Sequence, residues 1–260
     1  MERALWSAVT GMKAQELALD TIANNMANIS TSGFKKSQIS FQDMLYSTLA
    51  SPGAETSEGT TPGGIQVGHG TRVAGITKQF SQGSTVDTGK DLDVAVEGDG
   101  FFEVTMPDGT AAYTRDGSFR RNATGEVVTA NGYKVPAFSA IDAGTTEINI
   151  AADGTFSTVV NGTLTTKSPV TLVRFPNPEG LRSIGRNLYT ATDASGAAQS
   201  GLVPGANGMG TLAQRSLESS NVNAAEELVN MITTQRAYEA TSKAIKASDQ
   251  MLGIANSLRQ

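Results

Sequence analysis

The 260-residue chain carries 25 acidic against 20 basic residues, a net charge of −5, with 28 glycines and no cysteine. This balance offers no basic stripe for nucleic acid, and the lack of cysteine removes disulfides, thiolate nucleophiles and Cys-bound zinc. A single histidine, His69, excludes multi-histidine metal sites and leaves acid–base chemistry to carboxylates.

Residues 1–30 hold one glycine and no proline. Leu5, Met12, Leu19 and Met26 recur every seven positions, flanked by Val9, Ile22 and Ile29. That heptad stripe predicts a helix with one face kept for a partner helix, closed near Ser30–Gly33 with Gly33 as a left-handed cap. Lys13, Glu16 and Asp20 interrupt it, so it reads neither as a cleavable signal peptide nor as a membrane span. The chain is therefore expected to stay in the cytoplasm or to leave by a route that reads no such signal.

Residues 31–89 read as an extended linker zone. Within it the segment 46–64 contains a Gly/Ser/Thr/Pro-rich run, of which Ser51, Pro52, Gly53, Thr61, Pro62 and Gly63 are typical. From 90 to 190 short apolar stretches alternate with six turn dipeptides: Asp99-Gly100, Asp108-Gly109, Asp116-Gly117, Asn131-Gly132, Asp153-Gly154 and Asn161-Gly162. These predict a central antiparallel β domain with type I′ hairpins. Small residues from 191 to 221 read as a second linker.

At the C-terminus, Asn223 with Glu226 three residues on resembles a capping box. Met231, Tyr238, Ile245 and Leu252 then repeat every seven residues, with Leu228 beside them. Residues 222–260 are expected to form a second long helix, about 50 Å at 1.5 Å per residue. A lone helix of either kind is marginal in water, so the two ends need each other, other subunits, or both. The expected class is α+β: a terminal coiled-coil domain (1–30 and 222–260), a β-rich linker zone and a central β domain.

Catalytic patterns are missing. His69 lies between glycines, as in an exposed turn. Asp91 and Asp93 have no third ligand at calcium-loop spacing and read as solvent-facing. Gly83–Gly89 encloses five residues where a phosphate loop needs four, and Lys90 is followed by Asp91. No enzymatic activity, metal or cofactor is expected.

The segment Ile22-Ala23-Asn24-Asn25-Met26-Ala27-Asn28, followed by Thr31 and Gly33-Phe34-Lys35, resembles the N-terminal signature of bacterial flagellar rod and hook proteins. Ser220-Asn221-Val222-Asn223 with Glu227, Met231-Ile232 and Gln235-Arg236-Ala237-Tyr238-Glu239 is similar to their C-terminal signature. Gly98-x-Gly100-Phe101-Phe102, Tyr113-Thr114-Arg115 and Gly185-x-Asn187-Leu188-Tyr189 extend the likeness through the middle. Two positions depart from it: Arg215 stands where the family tends to have glycine, and Thr241 where asparagine is usual.

The resemblance implies a subunit of the distal rod of the flagellar basal body, a rigid hollow shaft enclosing an export channel and carrying torque from motor to hook. It implies that the terminal helices form the inner tube, with Asn24, Asn25, Asn28, Asn221, Asn223, Gln235 and Arg236 as polar contacts. The segment 46–64 would bridge neighbouring copies and stiffen the shaft. Expected partners are further copies, proximal rod and hook proteins, the type III export apparatus and, in a cell with an outer membrane, the periplasmic and outer-membrane rings. A proximal rod or hook protein of the same family is the nearest alternative. An oligomeric adhesin, with an aromatic platform drawn from Phe101, Phe102, Tyr113, Phe119, Tyr133 and Phe138, is the alternative from another class.

Overall fold

The computed structural model describes residues 2–51, 55–56, 59–60, 63–206 and 208–257. Two helices bracket a mostly β chain, so the class is α+β. The chain divides into a terminal unit (Met1–Met26, Ser37–Thr77 and Asn223–Gln260) and a central unit (Ala27–Lys36 and Lys78–Val222). Among the described residues no helix is long and apolar enough to cross a membrane.

In the terminal unit, helix α1 (Glu2–Ala27) is followed by strand β1 (Ser37–Asp43), which pairs with β4 (Thr71–Lys78). Between them β2 (Tyr46–Ala50) and β3 (Ile65–Gly68) pair antiparallel, with Ser47 opposite Val67. The stem is tied to α1 at both ends. Asn25 accepts the Ser37 N–H at 2.8 Å and donates to the Ser37 carbonyl at 2.9 Å, as a neighbouring strand would. At the other end the Thr71 N–H approaches Thr10 Oγ1 at 3.4 Å, and the Met44 N–H donates to Gly70 O at 2.9 Å. Helix and strand match in length: Thr10 to Asn25 spans about 22 Å at 1.5 Å per residue, and Ser37 to Met44 about 23 Å at 3.3 Å. Gly70 is required there, since its φ is 111° and a Cβ would fall 2.1 Å from Thr10 Oγ1.

Helix α2 (Ala224–Ser257) starts on Asn223, whose Oδ1 accepts the Ala225 N–H at 3.0 Å, so the cap is real. Two contacts set its register against α1. A Cβ on Gly11 would lie 3.9 Å from Thr241 Cγ2, and Asn25 Nδ2 lies 3.5 Å from Glu227 Oε2. Gly11 to Asn25 and Thr241 to Glu227 are both steps of 14 residues in opposite directions. The helices run antiparallel and in step.

The central unit holds a four-stranded sheet in the order Arg182–Gly185, Leu188–Thr190, Ala111–Thr114, Phe102–Thr105, and a three-stranded one from Thr145–Ile150, Phe156–Val160 and Thr163–Thr166. Val94, Val96, Phe102, Val104, Phe156 and Leu172 belong to one sealed core cluster of this unit. Residues 191–221, expected as a linker, instead contribute strands Gln199–Leu202, Thr211–Gln214 and Ser216–Glu218, and bury Met209 and Leu212 in that core. Small residues there mark tight turns rather than slack chain. The N-terminal helix also ends earlier than expected, at Ala27, so Asn28 and Ile29 lie in a turn. Gly33 is left-handed (φ 67°), as expected, but it serves a close approach: a Cβ would sit 2.7 Å from the Arg115 carbonyl carbon.

Of the six expected type I′ turns, Asn161-Gly162 alone has both φ values positive (51° and 79°). At Asp108-Gly109, Asn131-Gly132 and Asp153-Gly154 the glycine alone is left-handed, and its N–H returns to the carbonyl three residues back (Met106, Thr129 and Ala151). These are type I turns closed by a left-handed glycine. At Asp116-Gly117 the glycine admits the Val94 carbonyl, which would lie 1.8 Å from a Cβ. The acid of the Asp-Gly-Thr turns matters. Asp108 Oδ1 accepts the Thr110 hydroxyl and N–H at 2.6 and 3.0 Å, and Asp153 Oδ1 accepts the Thr155 N–H at 2.9 Å.

Those hydrogen bonds hold both carboxyls below the usual carboxylate range. A group lowered on folding stabilises the fold above its unfolded value of about 4, and that contribution disappears as pH falls through the lower, folded value. The double variant Asp108→Ala, Asp153→Ala should melt lower than the parent at neutral pH, and the gap should narrow as the pH falls from about 4 to about 2. Near-ultraviolet melting curves check this; a gap independent of pH would show that the turns do not depend on ionised carboxylates.

Candidate functional site

The residues with potential for chemistry have structural partners. Asp93 is buried rather than solvent-facing and accepts the Thr88 hydroxyl at 2.7 Å. Asp91 pairs with Arg215 at 2.7 Å. Among the described residues no group of three or more His, Asp or Glu side chains is placed to hold a metal. His69 lies in the terminal hairpin, its backbone N–H on the Leu45 carbonyl. Of the six aromatic side chains weighed as a platform, Phe101, Phe102, Tyr113, Phe119 and Phe138 are buried, in pairs such as the edge-to-face Phe102–Phe119 at 5.0 Å, and Tyr133 is half-buried.

The most highly charged interior site lies in the central unit, where the N-terminal approach (31–36) meets the C-terminal one (214–222). Glu218 is 1% exposed and Lys35 fully buried, and they pair at 2.6 Å. Glu218 Oε1 also accepts the Gly83 N–H at 2.8 Å, while Lys35 Nζ donates to the Ser81 carbonyl at 2.8 Å. Arg115, 3% exposed, brings its guanidinium within 3.6 Å of Glu218 Oε2 and donates to the Gly98 carbonyl at 2.7 Å. Burial pushes the Lys35 ammonium and the Arg115 guanidinium down from their ordinary values, and the Glu218 charge opposes that in both. The Gly33 N–H closes the site on the Glu218 carbonyl at 2.8 Å.

Beside it, Asn221 accepts the Lys36 N–H at 2.7 Å and donates to the Gln79 carbonyl at 2.9 Å. Arg215 turns the corner between Thr211–Gln214 and Ser216–Glu218 with φ 60°, a conformation that favours glycine. Its strain, about 1–2 kcal/mol, is met by Asp91 and by Thr88, whose N–H donates to the Arg215 carbonyl at 2.7 Å.

The helix faces divide the predicted stripe residues. On α1, Ala14, Ala18, Thr21, Ile22 and Asn25 are buried, while Leu5, Met12, Leu19 and Met26 are half-buried and Val9 is exposed. On α2, Glu227 is buried and Met231, Thr234, Thr241, Ile245, Ser248 and Leu252 are half-buried, a four-three repeat. Four of its seven members, Glu227, Thr234, Thr241 and Ser248, escape hydropathy because they are polar. Leu228, Gln235, Arg236 and Asn24 lie on exposed faces, with Tyr238 at the margin. Asn28 Oδ1 accepts the Thr31 hydroxyl. In the segment 46–64, Ser51 and Gly63 are exposed, and Pro52, Gly53, Thr61 and Pro62 lie outside the described residues.

Comparison with known proteins covers the same regions. Residues 5–35 match the family model described as flagella basal body rod protein, 95–171 the flagellar hook protein FlgE/F/G D1 domain, and 213–258 the flagellar basal body rod FlgEFG protein C-terminal. The chain is 47% identical to the flagellar basal-body rod protein FlgG of Borreliella burgdorferi over the whole of both chains. It is 46% identical to that of Buchnera aphidicola from Acyrthosiphon pisum over 96% of both, and 40% identical to that of Bacillus subtilis over 97% of both. The Helicobacter mustelae flagellar hook protein FlgE is 46% identical, but over 52% of this chain and 30% of its own.

Glu218→Gln should destabilise the central unit by about 3–5 kcal/mol, because two sealed cations lose their carboxylate together. Lys35→Met should cost less, since Arg115 still faces Glu218. Urea unfolding followed by near-ultraviolet circular dichroism measures both. Equal losses would show that Arg115 takes no part in neutralising Glu218.

Proposed function

The chain belongs to the FlgG family of flagellar basal-body rod proteins and is a structural subunit of the distal rod, and we propose that it polymerises through its terminal unit into the torque-bearing hollow shaft. One observation carries the reading. Among the described residues, fifteen of the nineteen exposed large apolar side chains fall in the terminal unit. They include Trp6 and Leu17 on α1, Leu45, Leu49 and Ile65 on the hairpin, and Val229, Ile232 and Ile254 on α2. The central unit presents four: Val86, Leu164, Ile184 and Val203. A monomer rarely spreads so much apolar surface over one unit unless copies cover it.

In this reading α1 and α2 form the inner coiled coil about an export channel, with Asn25 and Glu227 fixing register by a polar contact that slipped alignments cannot make. The hairpin reaches other copies. Its apolar side chains Leu45, Tyr46, Leu49 and Ile65 are exposed, which supports bridging and stiffening by the segment 46–64. Proximal rod proteins, the hook, the envelope rings and the export apparatus are the partners that follow, and no catalytic role is needed.

Basal bodies from cells lacking the gene should end as a rod stub without distal segment or hook under electron microscopy. A complete rod lacking only the hook would place the protein one step outward, and intact flagella would overturn the reading. Ile232→Glu should abolish rod assembly while leaving the central unit's melting within about 2 °C, the effect of an ordinary surface change. Deleting 46–64 should yield rods that curve; straight rods would remove the stiffening role.

A further inference from the structure

Asparagine stands directly before glycine at 131, 161 and 207. A glycine on that side leaves its peptide nitrogen uncovered and the backbone free to turn, so the side-chain amide is open to attack by its own main chain. Asn207 lies outside the described residues. Asn131 and Asn161 are both exposed, as are the glycines after them, and at either glycine a Cβ would meet nothing within 4 Å. Sequence and space are matched at the two positions. What differs is the state of the attacking nitrogen.

At Asn131 that nitrogen is engaged. The Gly132 N–H donates to the Thr129 carbonyl at 2.9 Å. The same loop is closed by the Thr129 N–H on the Tyr133 carbonyl at 2.8 Å and by the Tyr133 N–H on Thr129 Oγ1 at 3.2 Å. Asn161 and Gly162 instead form the two-residue tip between Phe156–Val160 and Thr163–Thr166, with Val160 paired to Thr163 behind them. Both have positive φ, and the Gly162 N–H has no backbone partner among the described residues. Thr163–Thr166 is the outer strand of its sheet and exposed at all four positions, so the tip opens without uncovering a buried side chain of that strand.

We propose that Asn161 is a site of spontaneous covalent modification, deamidating through a cyclic imide while Asn131 is held back. The Gly162 nitrogen gives up its proton to hydroxide and bonds to the side-chain carbonyl carbon of Asn161; the amide C–N bond breaks and ammonia leaves. Water then opens the ring at either carbonyl, giving aspartate, or isoaspartate in which the main chain runs through the side chain. Isoaspartate adds a methylene to a two-residue turn, and either product places a negative charge there. The reaction belongs to the turn and does not depend on assembly.

The full-length chain, kept folded in mildly alkaline buffer and then cut with trypsin, yields Asn131 and Asn161 in separate peptides, 122–134 and 135–167. Tandem mass spectrometry follows amide-to-acid conversion in each and assigns it to Asn161 rather than Asn149; enzymatic methylation of isoaspartate identifies the rearranged product. Asn161 should convert at least about fivefold faster than Asn131, the factor for freeing one backbone hydrogen bond. In guanidinium chloride, where both turns are undone, the two rates should converge. Equal rates in the folded chain, a faster Asn131, no conversion at Asn161, or a ratio that persists in denaturant would each overturn the proposal.

Discussion

Glu218 is a carboxylate sealed from water, and such a group is tolerable when cations stand beside it. Meeting that condition brings together three distant parts of the chain. Lys35 arrives eight residues past the end of α1, Arg115 from the end of a central strand, and Glu218 itself six residues before α2. Removing the acid strands two charges, so the arrangement is of little use in part. The same requirement explains why glycine stands at 33 and 83. At Gly83 a Cβ would lie 2.0 Å from the Ser219 carbonyl oxygen, and at Gly33 it would strike the Arg115 backbone. Charge neutralisation in the interior thereby sets where both chain ends leave the β structure.

The helices divide their side chains in an order opposite to a stable hairpin. α1 turns Ala14, Ala18 and Thr21 inward and leaves Trp6 and Leu17 outside; α2 buries Glu227 and leaves Val229 and Ile232 exposed. Small residues allow close approach but remove little apolar area from water, at about 25 cal/mol per Å². The antiparallel contact within one chain fixes alignment more than it supplies stability. Trp6, Leu17, Val229 and Ile232 stay exposed, and in the proposed shaft they are the surface that neighbours would cover.

Much of this was legible in the residues, for reasons that differ from element to element. Asn223 announced a helix start because an N-cap needs a side-chain acceptor, and Met231, Ile245 and Leu252 marked part of the α2 face. The rest, Glu227, Thr234, Thr241 and Ser248, was hidden because a hydropathy pattern cannot see polar residues that are covered by context. Glu218 was missed for a related reason: nothing local distinguishes a buried acid from a surface one, and its cations lie 183 and 103 residues away. The Lys35 and Arg115 halves of the motif were visible through resemblance, without any indication of what joined them. Residues 191–221 misled because small side chains serve tight turns as readily as slack linkers.

The small-residue face of α1 has one more consequence, and it concerns kinetics. Ala14, Ala18 and Thr21 offer little apolar area of their own, so in the proposed polymer the terminal unit would gain its order by mass action, in proportion to the neighbours already in place. Two free copies meeting in solution offer each other a fraction of that surface, whereas a growing tip offers several ordered neighbours at once. In that reading spontaneous nucleation would be slow and elongation fast. In the proposed shaft a subunit of this kind would add where a template exists, and growth would be confined to one end of one structure.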